Sequence, residues 1–135
     1  MAMIISDLQN LDTKKIMKMA MLHDLAESIT GDFTPNSISK KEKNILENKA
    51  MDELLNKLPE SIVKEYVSLW NDYQNNTTKE SEFVHDVDKL EMALQAKIYS
   101  KQGFSKEKLQ TFLKTANTEI KNNDLKEMFE SILTL

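Results

Sequence analysis

The side chains best suited to chemistry are the neighbours His23 and Asp24, followed by Glu27. A helix turns by about 100° per residue, so His23 and Asp24 do not face each other, but one ion seated between them can take an atom from each. Glu27 lies at i+4 from His23 and at i+3 from Asp24, on the same side of the helix. The spacing therefore predicts two metal ligands and one proton-transfer group on a single helix. The alternative is a half-buried histidine beside two solvated acids.

A second group of acids lies in residues 82–91, on a helix that also carries the core-like Phe83, Val87 and Leu90. Asp88 borders the apolar face of this helix, whereas Asp86 is expected further round it. A buried carboxylate is costly unless a cation compensates it, and a metal shared with His23 and Asp24 would do so. Asp88 is therefore a candidate metal ligand, with a solvated or capping acid as the alternative.

Composition predicts one soluble, cytoplasmic domain. The 135 residues are 40% hydrophobic, enough for a real core, and 30% charged, with a net charge of −4. No apolar run of about eighteen residues is present to span a membrane. Because the sequence has no cysteine, its side-chain metal ligands are histidine and carboxylates, which favours hard, oxygen-rich coordination. The acidic balance and the absence of a basic stripe argue against duplex nucleic acid as a partner.

Consecutive helices are predicted along the chain, with no strand pattern of useful length, and the fold class is therefore all-α with about six helices. A loop over residues 31–35 separates the His23 helix from the next one and contains Asp32. The predicted boundaries are a cap at Asp12-Thr13, a stop near Gly31, a capping box of Ser39 and Glu42, a break at Pro59, a capping box of Thr77 and Glu80, a stop before Gly103, and caps at Ser105 and Asp124.

Several other side chains are interpreted as structural. The apolar stripe of the helix that follows Ser39 is predicted to consist of Ile45, Leu46, Met51, Leu54 and Leu55. The aromatics interpreted as core or dimer-interface residues are Tyr66, Trp70 and Tyr73. A solvated helix start, which would also attract an anionic substrate, is predicted for Lys40, Lys41 and Lys43.

The runs over residues 19–32 (MAMLHDLAESITGD) and 83–96 (FVHDVDKLEMALQA) resemble the HD-domain phosphohydrolases. Within that superfamily they are similar to the 5′-deoxynucleotidase branch, which includes the HD domain-containing protein 2 group. A His-Asp dipeptide is a weak signal, but its combination with Glu27, Gly31-Asp32, Pro35 and the downstream Asp88-Lys89-x-Glu91 pattern is specific. The resemblance extends over almost the whole chain and implies a single HD domain, a helical bundle, over residues 1–135.

The resemblance implies that His23, Asp24 and Asp88 are metal ligands and that Glu27 is the catalytic glutamate. It implies that Asp32 helps to organise the active site and the attacking water, although a turn acid that bonds nearby backbone amides is an equal alternative. The implied reaction is hydrolysis of deoxyribonucleoside 5′-monophosphates to nucleoside and phosphate, with a divalent cobalt, manganese or magnesium ion. The implied assembly is a homodimer.

One departure from the family pattern concerns the N-terminal side of the site. The family takes a further ligand from a histidine on the helix before the His-Asp helix, and no histidine precedes His23. The domain is therefore expected to be N-terminally incomplete, with its first helix truncated, or to be a reduced member. His85 is the other histidine, and a surface position is favoured over a substitute ligand role. The alternative functions are a catalytically impaired HD-fold dimerisation or binding module and an HD hydrolase of another nucleotide class.

Overall fold

The computed structural model describes residues 1–35 and 37–135 and confirms the all-α class. Seven helices occur in those residues, where about six are predicted. Their bounds are α1 Ala2–Leu8, α2 Thr13–Thr30, α3 Lys40–Leu55, α4 Glu60–Asn75, α5 Lys79–Lys101, α6 Lys106–Glu119 and α7 Asn123–Thr134. Across the described residues, no helix combines the length and the apolar character needed to cross a lipid bilayer.

The chain forms two compact units, one of residues 2–82 and one of residues 83–135 together with Met1. In the first unit, α2 packs against α1, α3 and α4, and α3 packs against α4. In the second unit, α6 packs against α7. Because α2 contacts every other complete helix of the first unit, its buried face is held from several sides; that face consists of Ile16, Met19, Leu22, His23 and Ala26.

The two ends of α2 lie where the sequence predicts them. At the start, Asp12 Oδ1 accepts a hydrogen bond of 3.0 Å from the backbone N–H of Lys15, which satisfies one of the free amides of the first turn. At the end, Gly31 adopts a φ of +89°, a conformation that side chains with a Cβ disfavour. Its N–H donates to the Glu27 carbonyl at 2.7 Å. The helix that carries the candidate site therefore has defined ends on both sides.

Helix α3 begins with the predicted capping box. The backbone N–H of Glu42 donates to Ser39 Oγ at 3.2 Å, and the backbone N–H of Ser39 donates to Glu42 Oε2 at 3.0 Å. The predicted apolar stripe is wrong at Ile45 and Leu46, which are 59% and 45% exposed. The buried face passes instead through Glu47, which is 3% exposed, because Glu47 shares its helical face with the buried Met51 one turn later.

Helix α5 begins one residue later than the predicted capping box. Thr78 Oγ1 accepts the Ser81 N–H at 3.1 Å, and the Thr78 N–H donates to Ser81 Oγ at 3.0 Å. The predicted cap Thr77 donates its hydroxyl to Asp72 Oδ1 at 3.1 Å instead. A buried serine at the third position replaces the predicted glutamate as the reciprocal partner, since its short hydroxyl reaches the Thr78 amide within the first turn.

The start of α7 and the buried face of α5 also differ from the sequence predictions. Asn122, rather than Asp124, caps α7, and its Oδ1 accepts the Leu125 N–H at 3.2 Å. Asp86 is 5% exposed, although it is expected further round the helix than Asp88. Its burial is possible because Asp86 Oδ2 accepts two backbone N–H groups, from Lys121 at 2.9 Å and from Asn122 at 2.7 Å.

Candidate functional site

The structure brings His23, Asp24 and Glu27 together on the C-terminal half of α2. Nδ1 of the His23 ring lies 3.3 Å from Asp24 Oδ1, and Nε2 lies 2.9 Å from Glu27 Oε1. One ligand atom from each of the three residues lies within 4.8 Å of the others. One imidazole and two carboxylates are donors that divalent first-row metals accept, so the cluster fits a divalent cation.

Burial changes sharply across this cluster. The His23 side chain is 8% exposed and that of Glu27 is 17% exposed, whereas that of Asp24 is 81% exposed. The imidazole is thus fixed in the protein interior, where it has few alternative orientations. The exposed Asp24 carboxylate leaves one side of the cluster open to an ion arriving from solvent.

Aromatic residues of α4 pack beside the imidazole. The Tyr73 and His23 rings have centroids 5.3 Å apart, and Trp70 and Tyr73 have centroids 5.7 Å apart. Trp70 Nε1 donates to Asn48 Oδ1 at 2.8 Å, so its buried N–H is satisfied. The core interpretation is confirmed for Trp70 and Tyr73, which are 3% and 4% exposed. The packing of Tyr73 against the imidazole, supported by Trp70, fixes the orientation of the His23 side chain.

A cation from α3 completes the surroundings of Glu27. Lys43 Nζ lies 3.0 Å from Glu27 Oε1 and 3.4 Å from Glu47 Oε1. The prediction of a solvated helix start is therefore wrong for Lys43, which is half-buried, and right for the exposed Lys40 and Lys41. Lys43 lies on the face of α3 that contacts α2, so its ammonium group meets the carboxylates.

The charges around Glu27 set its protonation state. Burial raises the pKa of Glu27, but hydrogen bonds and positive charge from His23 and Lys43 outweigh burial and lower the pKa from 4.5 to about 2. Glu27 is consequently ionised at neutral pH. An ionised carboxylate with a fixed oxygen is suited to accept a proton.

Asp32 and Asp88 are the predicted site residues that lie outside the cluster on α2. Asp32 is exposed in the loop that follows α2, and both interpretations of it, site residue or turn acid, remain predictions. Asp88 belongs to the second compact unit, where its side chain is 32% exposed and its Oδ2 lies 2.8 Å from Lys89 Nζ. His85 is half-buried on the same helix. The ligand role of Asp88 stays a prediction that rests on the family pattern.

The sequence predictions missed Glu47 and its partner Gln74. Glu47 Oε2 accepts a hydrogen bond of 2.9 Å from Gln74 Nε2 of α4. Two signals were present in the sequence: Lys43 and Glu47 have the i, i+4 spacing of an ion pair, and Glu47 lies one turn before Met51 on the same face of α3. The contact with Gln74 has no local signal, because 27 residues separate the two positions.

Comparisons with known proteins match almost the entire chain. The sequence profile of the HD domain family matches residues 1–129. A Dictyostelium discoideum protein named 5′-deoxynucleotidase HDDC2 is 46% identical over 110 residues, which are 78% of this chain and 58% of the relative. The Homo sapiens protein of that name is 38% identical over 113 residues, 83% of this chain and 55% of the relative. The Saccharomyces cerevisiae 5′-deoxynucleotidase YGK1 is 34% identical over 136 residues, 97% of this chain and 62% of the relative. The chain thus spans little more than half the length of these relatives.

Proposed function

The chain belongs to the HD domain family, and on this premise we propose that it is a metal-dependent phosphohydrolase of deoxyribonucleoside 5′-monophosphates. The relatives named 5′-deoxynucleotidase support nucleotide phosphate hydrolysis as the class of reaction. The observation that carries the proposal is the cluster of His23, Asp24 and Glu27, whose ligand atoms lie within 4.8 Å of one another. A buried imidazole flanked by two carboxylates, one exposed and one ionised through its neighbours, is an arrangement suited to hydrolysis at a metal centre.

His23 and Asp24 would hold the cation, and the family pattern adds Asp88 as the distal ligand. The choice among cobalt, manganese and magnesium belongs to the proposal. When bound, such an ion lowers the pKa of water and neutralises charge on a phosphoryl oxygen. Such assistance from a metal is needed because the uncatalysed hydrolysis of phosphate monoesters is among the slowest biological reactions.

Glu27 is the proposed proton acceptor. Lys43 Nζ lies 3.0 Å from its ionised Oε1 and holds it in place, so Glu27 can receive a proton from the attacking water. The water oxygen forms a bond to phosphorus, the bond between phosphorus and the 5′ oxygen breaks, and the proton accepted by Glu27 passes to the leaving oxygen, which regenerates the carboxylate. The products are nucleoside and inorganic phosphate. Asp32, in the loop after α2, is proposed to orient the water or a substrate hydroxyl.

Phosphate release from the purified 135-residue chain tests the proposal. We expect turnover of deoxyribonucleoside 5′-monophosphates with added Co²⁺ or Mn²⁺, loss of turnover in excess EDTA, and loss in His23→Ala. Ribonucleoside 5′-monophosphates and deoxyribonucleoside 3′-monophosphates serve as substrate controls. Absence of metal-dependent release from every deoxynucleotide would overturn the proposal.

The alternative functions give different results in the same experiment. A catalytically impaired dimerisation or binding module would bind metal without turnover, or would show no response to His23→Ala. An HD hydrolase of another nucleotide class would turn over cyclic nucleotides or nucleoside polyphosphates in preference to the monophosphates. The expected homodimer is tested by light scattering of the purified chain, and the cytoplasmic location by fractionation of the source cells.

A further inference from the structure

Building on the proposed function, we propose that Lys43, anchored by the buried Glu47, is a positioning residue that holds the Glu27 carboxylate in place for proton transfer. Lys43 acts through Glu27 and is not itself assigned a contact with substrate. The proposal rests on a chain of contacts that crosses from α4 through α3 to α2, entirely within the first compact unit.

Glu47 is the buried residue that anchors this series of side-chain contacts. Its side chain is 4% exposed, and its Oε2 accepts the Gln74 hydrogen bond of 2.9 Å. Within the described residues, Glu47 Oε1 is buried without a hydrogen-bond partner, and the ammonium group of Lys43 lies 3.4 Å away. A buried carboxylate needs a compensating cation, because removing its hydration is costly. The ammonium group of Lys43 supplies the positive charge that compensates the Glu47 carboxylate.

Lys43 links the buried acid to the candidate base. One ammonium carries three donors, and Lys43 Nζ lies close to a carboxylate oxygen of Glu47 on its own helix and of Glu27 on α2. Burial lowers the pKa of Lys43, but the two carboxylates outweigh burial and raise it, so the group is cationic at neutral pH. The Lys43 side chain is 27% exposed, which limits its freedom to turn into solvent.

The consequence for Glu27 is geometric. His23 Nε2 and Lys43 Nζ contact the same oxygen, Glu27 Oε1, from α2 and from α3. A glutamate side chain on a helix surface samples several rotamers, and two contacts from different helices select one of them. Coordination of a cation by His23 Nε2 would remove the His23 contact, so Lys43 is the contact that holds the acceptor for proton transfer. Because proton transfer requires close placement of the acceptor, loss of the Lys43 contact lowers the rate even where the base is still present.

The test compares Lys43→Met, Glu47→Gln, the double variant and Lys41→Met, a matched control on the exposed side of the same helix start. Lys43→Met leaves Glu47 buried without its cation, so its thermal midpoint should fall. The double variant removes both charges and should recover most of that loss. We expect kcat to stay roughly 10- to 100-fold low in Lys43→Met and in the double variant, with KM within about 3-fold of wild type.

A merely structural role predicts a different pattern. If stability alone limited the rate, the double variant would regain kcat together with its thermal midpoint, and the proposal would be wrong. A double variant as unstable as Lys43→Met would contradict the anchoring by Glu47. If Lys43→Met fails to fold, the double variant carries the kinetic test by itself.

A readout without turnover separates this proposal from the proposed function. In metal-free protein labelled with ¹³C at glutamate, the carboxyl resonance of Glu27 should move in Lys43→Met and stay in place in Lys41→Met. No turnover by the wild type, together with this resonance shift, would defeat the proposed function and leave the positioning contact standing. An unmoved Glu27 resonance, or a wild-type kcat in Lys43→Met, would overturn the positioning role.

Discussion

Glu27 Oε1 lies 2.9 Å from His23 Nε2, so the proposed proton acceptor contacts a proposed metal ligand directly. A hydrogen bond from the ring to this carboxylate needs a proton on Nε2, whereas coordination of a cation by that nitrogen needs its lone pair. The two states of Nε2 are therefore mutually exclusive. Metal loading and the surroundings of Glu27 are coupled through a single imidazole.

Replacing the acceptor should separate binding from chemistry. Glu27→Gln keeps the shape of the side chain and removes its capacity to take a proton, so we expect metal affinity to change by less than about 10-fold and kcat to fall by about 10²- to 10⁴-fold. Calorimetric titration with Mn²⁺ and a phosphate-release assay measure the two quantities on one preparation. Turnover near the wild-type level in Glu27→Gln would show that another group accepts the proton.

Replacing the ligand His23 should weaken metal binding itself. Loss of an outer partner of a metal ligand costs about 10–100-fold in affinity, so His23→Ala, which removes a ligand, is expected to weaken Mn²⁺ binding by more than about 100-fold. His85→Ala is the matched control, since it removes the other histidine of the chain, and is expected to leave affinity unchanged. Equal losses in both variants would instead support the substitute role for His85.

The ion pairs of Glu27 predict an acid-sensitive stability of the metal-free protein. The folded pKa of about 2 lies below the ordinary 4.5, so the contribution is fully present above about pH 4.5 and is lost as pH falls towards 2. Urea unfolding at pH 7, 5 and 3.5 should show the stability gap between wild type and Glu27→Gln narrowing on acidification. A gap that is constant over this range would contradict the lowered pKa.

The buried carboxylate of the second unit should contribute to stability without any part in chemistry. Asp86 Oδ2 accepts two backbone N–H groups, so Asp86→Ala leaves two donors unpaired and is expected to cost about 2–4 kcal/mol of unfolding free energy. Asp86→Asn keeps one acceptor oxygen and should cost less. Chemical denaturation of the three proteins provides the comparison. A loss below about 0.5 kcal/mol in Asp86→Ala would indicate that water replaces the carboxylate.

Local chemistry explains which features the sequence predicts correctly. The cap at Asp12, the stop at Gly31 and the capping box of Ser39 with Glu42 depend on residues three or four positions apart. The approach of His23 to Glu27 is likewise an i, i+4 relationship that any regular helix produces. The predicted cap at Thr77 is wrong by one residue, because Thr78 forms the cap. Two adjacent threonines carry the same hydroxyl group, and contacts with the surrounding residues decide which of them caps the helix.

The sequence by itself thus determined the helices and the cluster on α2, because both follow from the periodicity of one chain segment. Only the tertiary structure decided which charges are buried and which face solvent. Glu47 is interior because α4 supplies Gln74 to one oxygen and Lys43 lies beside the other, and Asp86 is interior because a distant loop supplies two amides. Exposure of Ile45 and Leu46 has the same origin, since packing selects which face of α3 is covered. Contacts between segments far apart in sequence set these outcomes. The local i, i+4 spacing of Lys43 and Glu47 indicates an ion pair, but it does not determine that Glu47 is buried.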